Sequence, residues 1–495
     1  MLPIEELRGQ RIQKLENFRE KKINPYPSRS KRSDSIANLL SDFERLSLAK
    51  EEVFICGRIK SLRKHGKITF GNIQDESADI QFLLKEDILG KRAYKEFSDF
   101  DIGDFIQAKG MFFKTKTKEK TLEAHKYKIL TKSLCPLPEK WKGLRDIELR
   151  QRKRYLDLVI NEDTKRRFTQ RSNFIKNFRN ILEEKGFLEV ETPVLEHTPG
   201  GADAEPFITH HNALNIDLYL RISLELHLKR LIAGGFEKIF EIGRVFRNEG
   251  ISTTHLQEFT MCEFYAAYWD YEKMMRFIED LYSDAAKRTF NQSLHYKFGD
   301  HEINFTPPWP RIDYSEIFAS KIGTSLDKIP DKKSAVSLAK KLNVKIEPYM
   351  GRGRIIDQIY KKKIRANLIG PLFLVNHPVA VSPLAKRNER DSNLTERFQP
   401  IICGEEVGNG FSELNDPLDQ RKRFEEQMKL REKGDKEAQM LDEGFLEALE
   451  YGMPPTAGFG VGIDRLFMMF TNMQNIREVV FFPTMRPKET KEKRQ

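Results

Sequence analysis

Phe246-Arg-Asn-Glu-Gly-Ile-Ser-Thr-Thr-His-Leu-Gln-Glu-Phe-Thr-Met-Cys-Glu-Phe-Tyr265 places charges and aromatics where a packed strand should be apolar. An apolar approach, Ile239, Phe240, Ile242 and Val245, leads into it, and the residues from Glu258 to Ala267 alternate in character. Successive strand residues point to opposite faces, so Phe259, Met261, Glu263 and Tyr265 share one face and Thr260, Cys262, Phe264 and Ala266 the other. Glu263 is therefore expected to face inward beside an aromatic and a thioether. An unpaired buried charge costs several kcal/mol, so a cation or a hydrogen-bond donor must meet it. The Arg247-Asn-Glu249-Gly250 turn, the link from Ile251 to Gln257 and the return strand make a hairpin with a loop long enough to fold over a ligand.

Polarity is misplaced in the same way in Val407-Gly-Asn-Gly-Phe-Ser-Glu-Leu-Asn415, where Asn409, Phe411 and Glu413 are two apart and face one way. In Leu220-Arg-Ile-Ser-Leu-Glu225-Leu-His-Leu-Lys229, Glu225 stands among apolar residues at the mouth of a helix. If Glu225, Glu263 and Glu413 converge with Tyr265 and Asn409, the pocket is acidic and selects a ligand with positive charge at both ends. A diammonium amino acid is the simple candidate, and a salt bridge from each Glu to a neighbouring Arg is the structural alternative. In Ala457-Gly-Phe-Gly-Val-Gly-Ile-Asp-Arg465, the glycines at 458, 460 and 462 permit close backbone approach, and Arg465 opens a helix where it can reach an anion. A dinucleotide fingerprint would need glycine at 463, which is Ile463, and no Gly-x-x-x-x-Gly-Lys-Ser/Thr loop occurs.

The 495 residues allow about two to four domains. A formal net charge of +11 favours an anionic partner, nucleic acid being the commonest. Cys56, Cys135, Cys262 and Cys403 lie far apart, which argues against a zinc site and a disulfide framework and fits a reducing, cytoplasmic setting. No apolar run is long enough for a membrane span or a signal peptide.

Residues 1 to about 24 read as a basic, partly amphipathic helix with Ile12, Leu15 and Phe18 on one face. From Val53 to Leu134 short alternating stretches are broken by Gly and Asp turns, and about five strands in so short a span predict a small barrel. Arg58, Phe70 and Gln81 on successive strands would offer a stacking ring with donors and acceptors for single-stranded bases. Pro136 and Pro138 close this region, and a very basic link runs from Lys140 to Arg154. A helix over Phe168 to Lys185 ends at Gly186 and leads into Phe187-Leu-Glu-Val-Glu-Thr-Pro193.

Three of these pieces taken together resemble the signature motifs, in order, of class II aminoacyl-tRNA synthetases. They are Pro193 after helix and strand, Phe246-Arg-Asn-Glu249 with His255 and Phe259, and Gly-Val-Gly-Ile-Asp-Arg465. Asn409-Gly-Phe-Ser-Glu-Leu-Asn-Asp416, Pro206-Phe-Ile-Thr-His-His-Asn212, Ser382-Pro-Leu-Ala-Lys386 and Pro454-Pro-Thr-Ala-Gly458 are similar to the lysine-specific branch of its subclass IIb. The resemblance implies an α+β fold in which a class II antiparallel sheet flanked by helices follows an all-β OB-fold barrel and an N-terminal helical arm. The expected divisions are the arm at 1–50, the anticodon-binding barrel at 51–138, a basic linker at 139–165, the catalytic domain at 166–487 and a disordered tail at 488–495.

The resemblance further implies ATP-dependent joining of lysine to its tRNA through an adenylate, with Mg²⁺, in a cytoplasmic homodimer. Arg247, Glu249 and Arg465 become catalytic. ATP falls to Arg247, Glu249, His255, Phe259, Arg465 and Glu406, with Phe259 stacking on adenine. Lysine falls to Gly201, Glu225, Glu263, Tyr265, Asn409, Phe411 and Glu413, with Glu225 at the α-ammonium and Glu413 at the ε-ammonium. Arg58, Phe70 and Gln81 read the anticodon, and Glu406 with position 399 holds metal. The chain departs from the family pattern at several places: Gln399 stands where a metal-binding Glu is usual, Glu205 and Glu405 where basic residues are usual, and Leu224 and Leu256-Gln257 where Pro and Asn-Pro are usual. Those departures keep two alternatives open, a paralogue that adenylates another diamino acid and a weakened RNA-binding or regulatory homologue.

Overall fold

The computed structural model describes residues 3–138, 144 and 146–487, in two compact units, Met1–Arg145 and Asp146–Gln495. The tail expected at 488–495 and the start of the basic link lie outside the described residues. Among the described residues no helix is long and apolar enough to cross a membrane.

In the first unit β1 (Val53–His65), β2 (Ile68–Gln74), β3 (Asp79–Lys85), β4 (Phe105–Lys114) and β5 (Lys120–Thr131) close a barrel in the order β1-β2-β3-β5-β4. Alternation drives closure: Val53, Ile55, Gly57 and Ile59 of β1 are buried while their neighbours are only half-buried. Ile55, Ile59, Ile73, Phe82, Leu84, Ile106 and Leu122 fill the interior. The first three helices, Ile4–Glu20, Ile36–Ser41 and Phe43–Leu48, send Phe18, Ile36, Leu39, Phe43 and Leu46 into that same core. Lys14 pairs with Asp101 at 2.7 Å and Lys21 with Asp99 at 2.6 Å. The arm expected at 1–50 is thus part of the barrel unit, because its apolar stripe has a face to bury against.

The second unit contains β6 (Leu188–Glu189), β7 (Leu195–Glu196), β8 (Ile208–His211), β9 (Ile216–Leu220), β10 (Lys238–Phe246), β11 (Glu258–Ala267), β12 (His295–Phe298), β13 (His301–Asn304), β14 (Arg311–Asp313), β15 (Leu372–Val375), β16 (Arg397–Ile402), β17 (Glu405–Glu406), β18 (Asn409–Ser412) and β19 (Thr456–Gly462). Nine of them form one sheet in the order β14-β15-β16-β18-β19-β11-β10-β6, with β17 paired to β16. Only the outer pairs β14–β15 and β10–β6 are parallel. On one face Cys262, Phe264, Ala266, Phe459 and Val461 pack against helices Glu162–Glu184, Tyr271–Thr289 and Ile463–Thr471. On the other, Tyr265 and Phe411 pack with helices Glu225–Ala233 and Glu443–Glu450. The two faces of β11 are those the alternation requires.

The basic link differs from the expectation. Asp146 caps helix Ile147–Arg152, and helix Arg154–Ile160 follows, so the second unit begins twenty residues before 166. Arg154 and Asp157 are fully buried and paired at 2.6 Å, and Arg154 also donates to the carbonyls of Arg477 (2.7 Å) and Phe481 (3.2 Å). Density of charge reads as solvated linker unless the distant partners are known.

Gly110, in β4, faces β5 so closely that a Cβ there would lie 1.9 Å from the Glu123 carbonyl oxygen. Backbone cannot yield as a flexible side chain can, so Gly110→Ala should destabilise the barrel by about 2 kcal/mol. Chemical denaturation of the variant and the parent measures this, and an unchanged barrel transition would contradict the close packing.

Candidate active site

Register brings the misplaced polar residues into rows across the centre of the sheet. Glu263 of β11 lies opposite Gly460 of β19, which lies opposite Asn409 of β18. In the next row Tyr265 faces Gly458, Gly458 faces Phe411, and Phe411 faces Arg397 of β16. Glycine in β19 is what lets the flanking side chains meet over it. A Cβ on Gly458 would stand 2.3 Å from both Glu413 Oε1 and Tyr265 Cε1.

Three carboxylates converge there. Glu263 accepts from Ser223 Oγ (2.7 Å), the Leu224 amide (2.9 Å) and Tyr265 O–H (3.0 Å). Burial pushes its pKa up and these donors oppose the rise, with Arg247 close enough to help. Leu224 stands where the family usually has Pro, and the substitution supplies an N–H that Pro lacks. Glu225 opens its helix, its amide donating to Ser223 Oγ at 3.2 Å. Gly201, with φ of +85°, sits so close that a Cβ would come within 2.9 Å of Glu225 Cβ and Ser223 Oγ. The cation that the sequence reading lacked is Lys229, 2.5 Å from Glu225 Oε1 and in contact with Glu413 Oε2. Burial still pushes the carboxyls of Glu225 and Glu413 up, with Lys229 the strongest opposing influence on each. Glu413 is 1% exposed, and its Oε1 has no hydrogen-bond partner among the described residues. Asn409 is fixed by Arg397, which donates to its Oδ1 at 2.8 Å.

A basic group adjoins this acidic one. Arg247 donates to the Ile222 carbonyl (3.2 Å) and lies over the Phe259 ring at 5.2 Å. Arg465, in the first turn of helix Ile463–Thr471, donates to the carbonyls of Glu406 (2.7 Å) and Thr254 (3.3 Å) and to His255 Nε2 (3.1 Å). A neutral imidazole has one N–H, so with Nε2 accepting, Nδ1–H donates to Ser252 Oγ at 2.8 Å. His255 is an exposed residue, but partial desolvation of its ring, then Arg465, Arg365 and Arg247, hold its pKa down at about 4. Arg365 was not anticipated: it opens the short turn Arg365–Asn367, which is stitched to the β16–β17 turn by Gly404 N–H donating to the Leu368 carbonyl at 2.8 Å. Glu249 influences Arg247 electrostatically, and Gln257 closes the hairpin loop by donating to the Glu249 carbonyl at 3.1 Å. Leu256, where Asn is usual, is buried in the core. Many positive charges around few acids make this part of the site suited to a polyanion.

Magnesium takes oxygen ligands, preferring carboxylates and phosphates. Glu406 is half-buried in β17 and offers a carboxylate beside Arg465, so the donor set fits a metal carried in on phosphates. Gln399 is buried, with its side-chain amide 3.2 Å from His377 Nε2. Burial and then Arg397 drive the His377 pKa down to about 3, so that ring is neutral. No group of three acidic, His or Cys side chains able to hold a metal occurs among the described residues. Glu205 lies 3.5 Å from Lys436, which accounts for its sign; nothing in the structure explains Glu405.

Within the barrel unit, Asn72 of β2 faces Gln81 of β3 and Gln74 faces Arg58 of β1, so Phe70, Arg58 and Gln81 share the outer face. Arg58 lies 4.3 Å from the Phe105 ring centre, and Gln81 accepts from Thr121 Oγ1 at 2.9 Å. All three are half-buried, leaving edges for a ligand.

Residues 146–486 match the family of class II tRNA synthetases (D, K and N), and residues 53–130 match the OB-fold nucleic acid binding domain. The chain belongs to the class II tRNA synthetases. It is 47% identical over 484 residues to the lysine–tRNA ligase of Moorella thermoacetica, covering 98% of each chain. The lysine–tRNA ligases of Oceanobacillus iheyensis (47%, 97% of this chain and 98% of that one) and Dehalococcoides mccartyi (46%, 99% of each) are similar over the same extent.

His255 should titrate far below an ordinary histidine. Its ring protons, followed by NMR against pH with His255→Gln as the assignment control, should show a midpoint near 4; a midpoint above 6 would contradict the arginine cluster.

Proposed function

We propose that the protein ligates lysine to its cognate tRNA through a lysyl-adenylate. The observation that carries this reading is the buried acidic pocket beside the arginine cluster, with the free oxygen of Glu413; near-full-length likeness to lysine–tRNA ligases supports it. An ammonium group is the complement of Glu413, and a second one the complement of Glu225 and Glu263. Asn409, Tyr265, Phe411 and Gly201 shape the space between them.

The lysine carboxylate is already ionised, so attack on the α-phosphorus of ATP needs no general base, and pyrophosphate leaves. Catalysis is then in-line placement and neutralisation of charge. Arg247, oriented by the Ile222 carbonyl and the Phe259 ring, meets the α-phosphate and the incoming carboxylate. Phe259 offers a ring face to adenine, while Arg465 and neutral His255 hold the far phosphates. Magnesium, which would be held by Glu406 and the phosphates, supplies further charge neutralisation. The outer barrel face with Arg58, Phe70 and Gln81 is the proposed reader of the anticodon. A homodimer in the cytoplasm completes the proposal; exposed Leu188, Val194 and Leu195 next to Pro193 support an interface there.

The test is lysine-dependent exchange of pyrophosphate into ATP, followed by charging of lysine tRNA. Exchange should require lysine, and exchange with ornithine or β-lysine alone would move the assignment to another diamino acid. Arg247→Ala should lower kcat by about 10²-fold or more, the scale for losing a donor to transition-state charge. Gly458→Ala should raise KM for lysine by at least about tenfold, since the added methyl enters the space between Glu413 and Tyr265. Unchanged constants for either variant would displace the site.

A further inference from the structure

The acidic pocket contains a cation of its own. Lys229 is one helical turn beyond Glu225, 0% exposed, and bridges Glu225 Oε1 and Glu413 Oε2. Its other neighbours are the rings of Phe411 and Phe445, 5.2 and 5.8 Å from Nζ. Burial opposes its charge, but the two carboxylates more than offset this, so Lys229 stays an ammonium. Glu225 and Glu413 thus share one cation between them, while Glu263 is met by neutral donors. One oxygen of Glu413 is left buried and unpartnered, facing the space that Gly458 keeps open.

We propose that Lys229 is a specificity-setting residue: a fixed ammonium that compensates one of the three pocket carboxylates and leaves the charge of two, so that a ligand with two ammonium groups completes the balance. The other charged and titratable groups facing the pair come from three segments. Glu263 and Tyr265 approach from β11, Arg397 from β16 and Arg247 from the end of β10, the last two also neighbouring Asn409 and Glu263. None of them touches both Glu225 and Glu413, whereas Lys229 does. Without Lys229, burial would make these two carboxyls hold protons to higher pH, and a protonated pocket no longer demands a diammonium ligand. This inference rests on the reading of the pocket as a lysine site.

The test measures lysine affinity by calorimetry from pH 6 to 9 for the parent, Lys229→Met and Lys229→Arg, with circular dichroism as the control for folding. Ammonium binding needs ionised carboxylates. The Lys229→Met curve should therefore shift to higher pH, with a loss of affinity about tenfold greater at pH 6.5 than at pH 8.5. Lys229→Arg, which keeps the fixed charge, should retain the parent midpoint even where affinity falls. A loss in Lys229→Met that is equal at every pH marks a structural role and overturns the inference. So does a shifted midpoint in Lys229→Arg, which decides the matter if Lys229→Met does not fold. Absence of lysine binding by the parent overturns the lysine reading itself; normal parent binding with a pH-independent variant overturns only the role of Lys229.

Discussion

The pairing of β11 with β10 on one side and β19 on the other is the constraint from which the second unit is built. Side chains in a strand repeat every two residues, so a slip of one position would exchange its faces. Cys262, Phe264 and Ala266 would then lose the core that helices Glu162–Glu184 and Tyr271–Thr289 supply, and Glu263 would enter it without donors. The large apolar face penalises every register but the native one. Function inherits its geometry from that penalty, since Glu263, Gly460 and Asn409 fall in one row for the same reason.

Opposite charges are kept close without cancelling. Glu263 and Glu413 sit over the glycines of β19 with Glu225 beside Gly201, whereas Arg247, Arg465 and Arg365 gather around the hairpin loop and β17. Two of these arginines are tied by main-chain carbonyls or a ring more than by a carboxylate: Arg247 by Ile222 and Phe259, Arg465 by Glu406 and Thr254. Carbonyls orient a guanidinium while leaving its charge in place, so the cluster retains its attraction for phosphates. Neutral His255 adds a hydrogen-bonding group without adding to the repulsion among the arginines.

Alternation made much of this legible. The two faces of β11, the shared side of Asn409 and Phe411, and the barrel strands all follow from period two and turn residues. The contacts that the sequence did not disclose join residues far apart in the chain or override a default. Lys229 follows three residues of an apolar-looking helix start, and lysine is ordinarily a surface residue, so nothing local marks it as buried. Its partner Glu413 lies 184 positions on. Arg365 comes two positions after three consecutive lysines, a run that reads as a solvated face. The amide of Gln399 is met by His377, 22 positions earlier and just past the end of the preceding strand.

The junction that ties helices Ile147–Arg152 and Arg154–Ile160 to the end of the unit has a consequence for how the protein is made. Arg154 waits for the carbonyl of Phe481, 327 positions later, and Phe168 waits for the same residue to stack on its ring at 3.9 Å. At a synthesis rate of about 10 residues per second, the interval is roughly half a minute. During it the emerging chain presents, at this junction, an Arg154–Asp157 ion pair able to remain hydrated, which is a far less adhesive surface than an aliphatic patch would be. The segment around Phe481 then works as a latch, closing a clasp whose other half was finished long before.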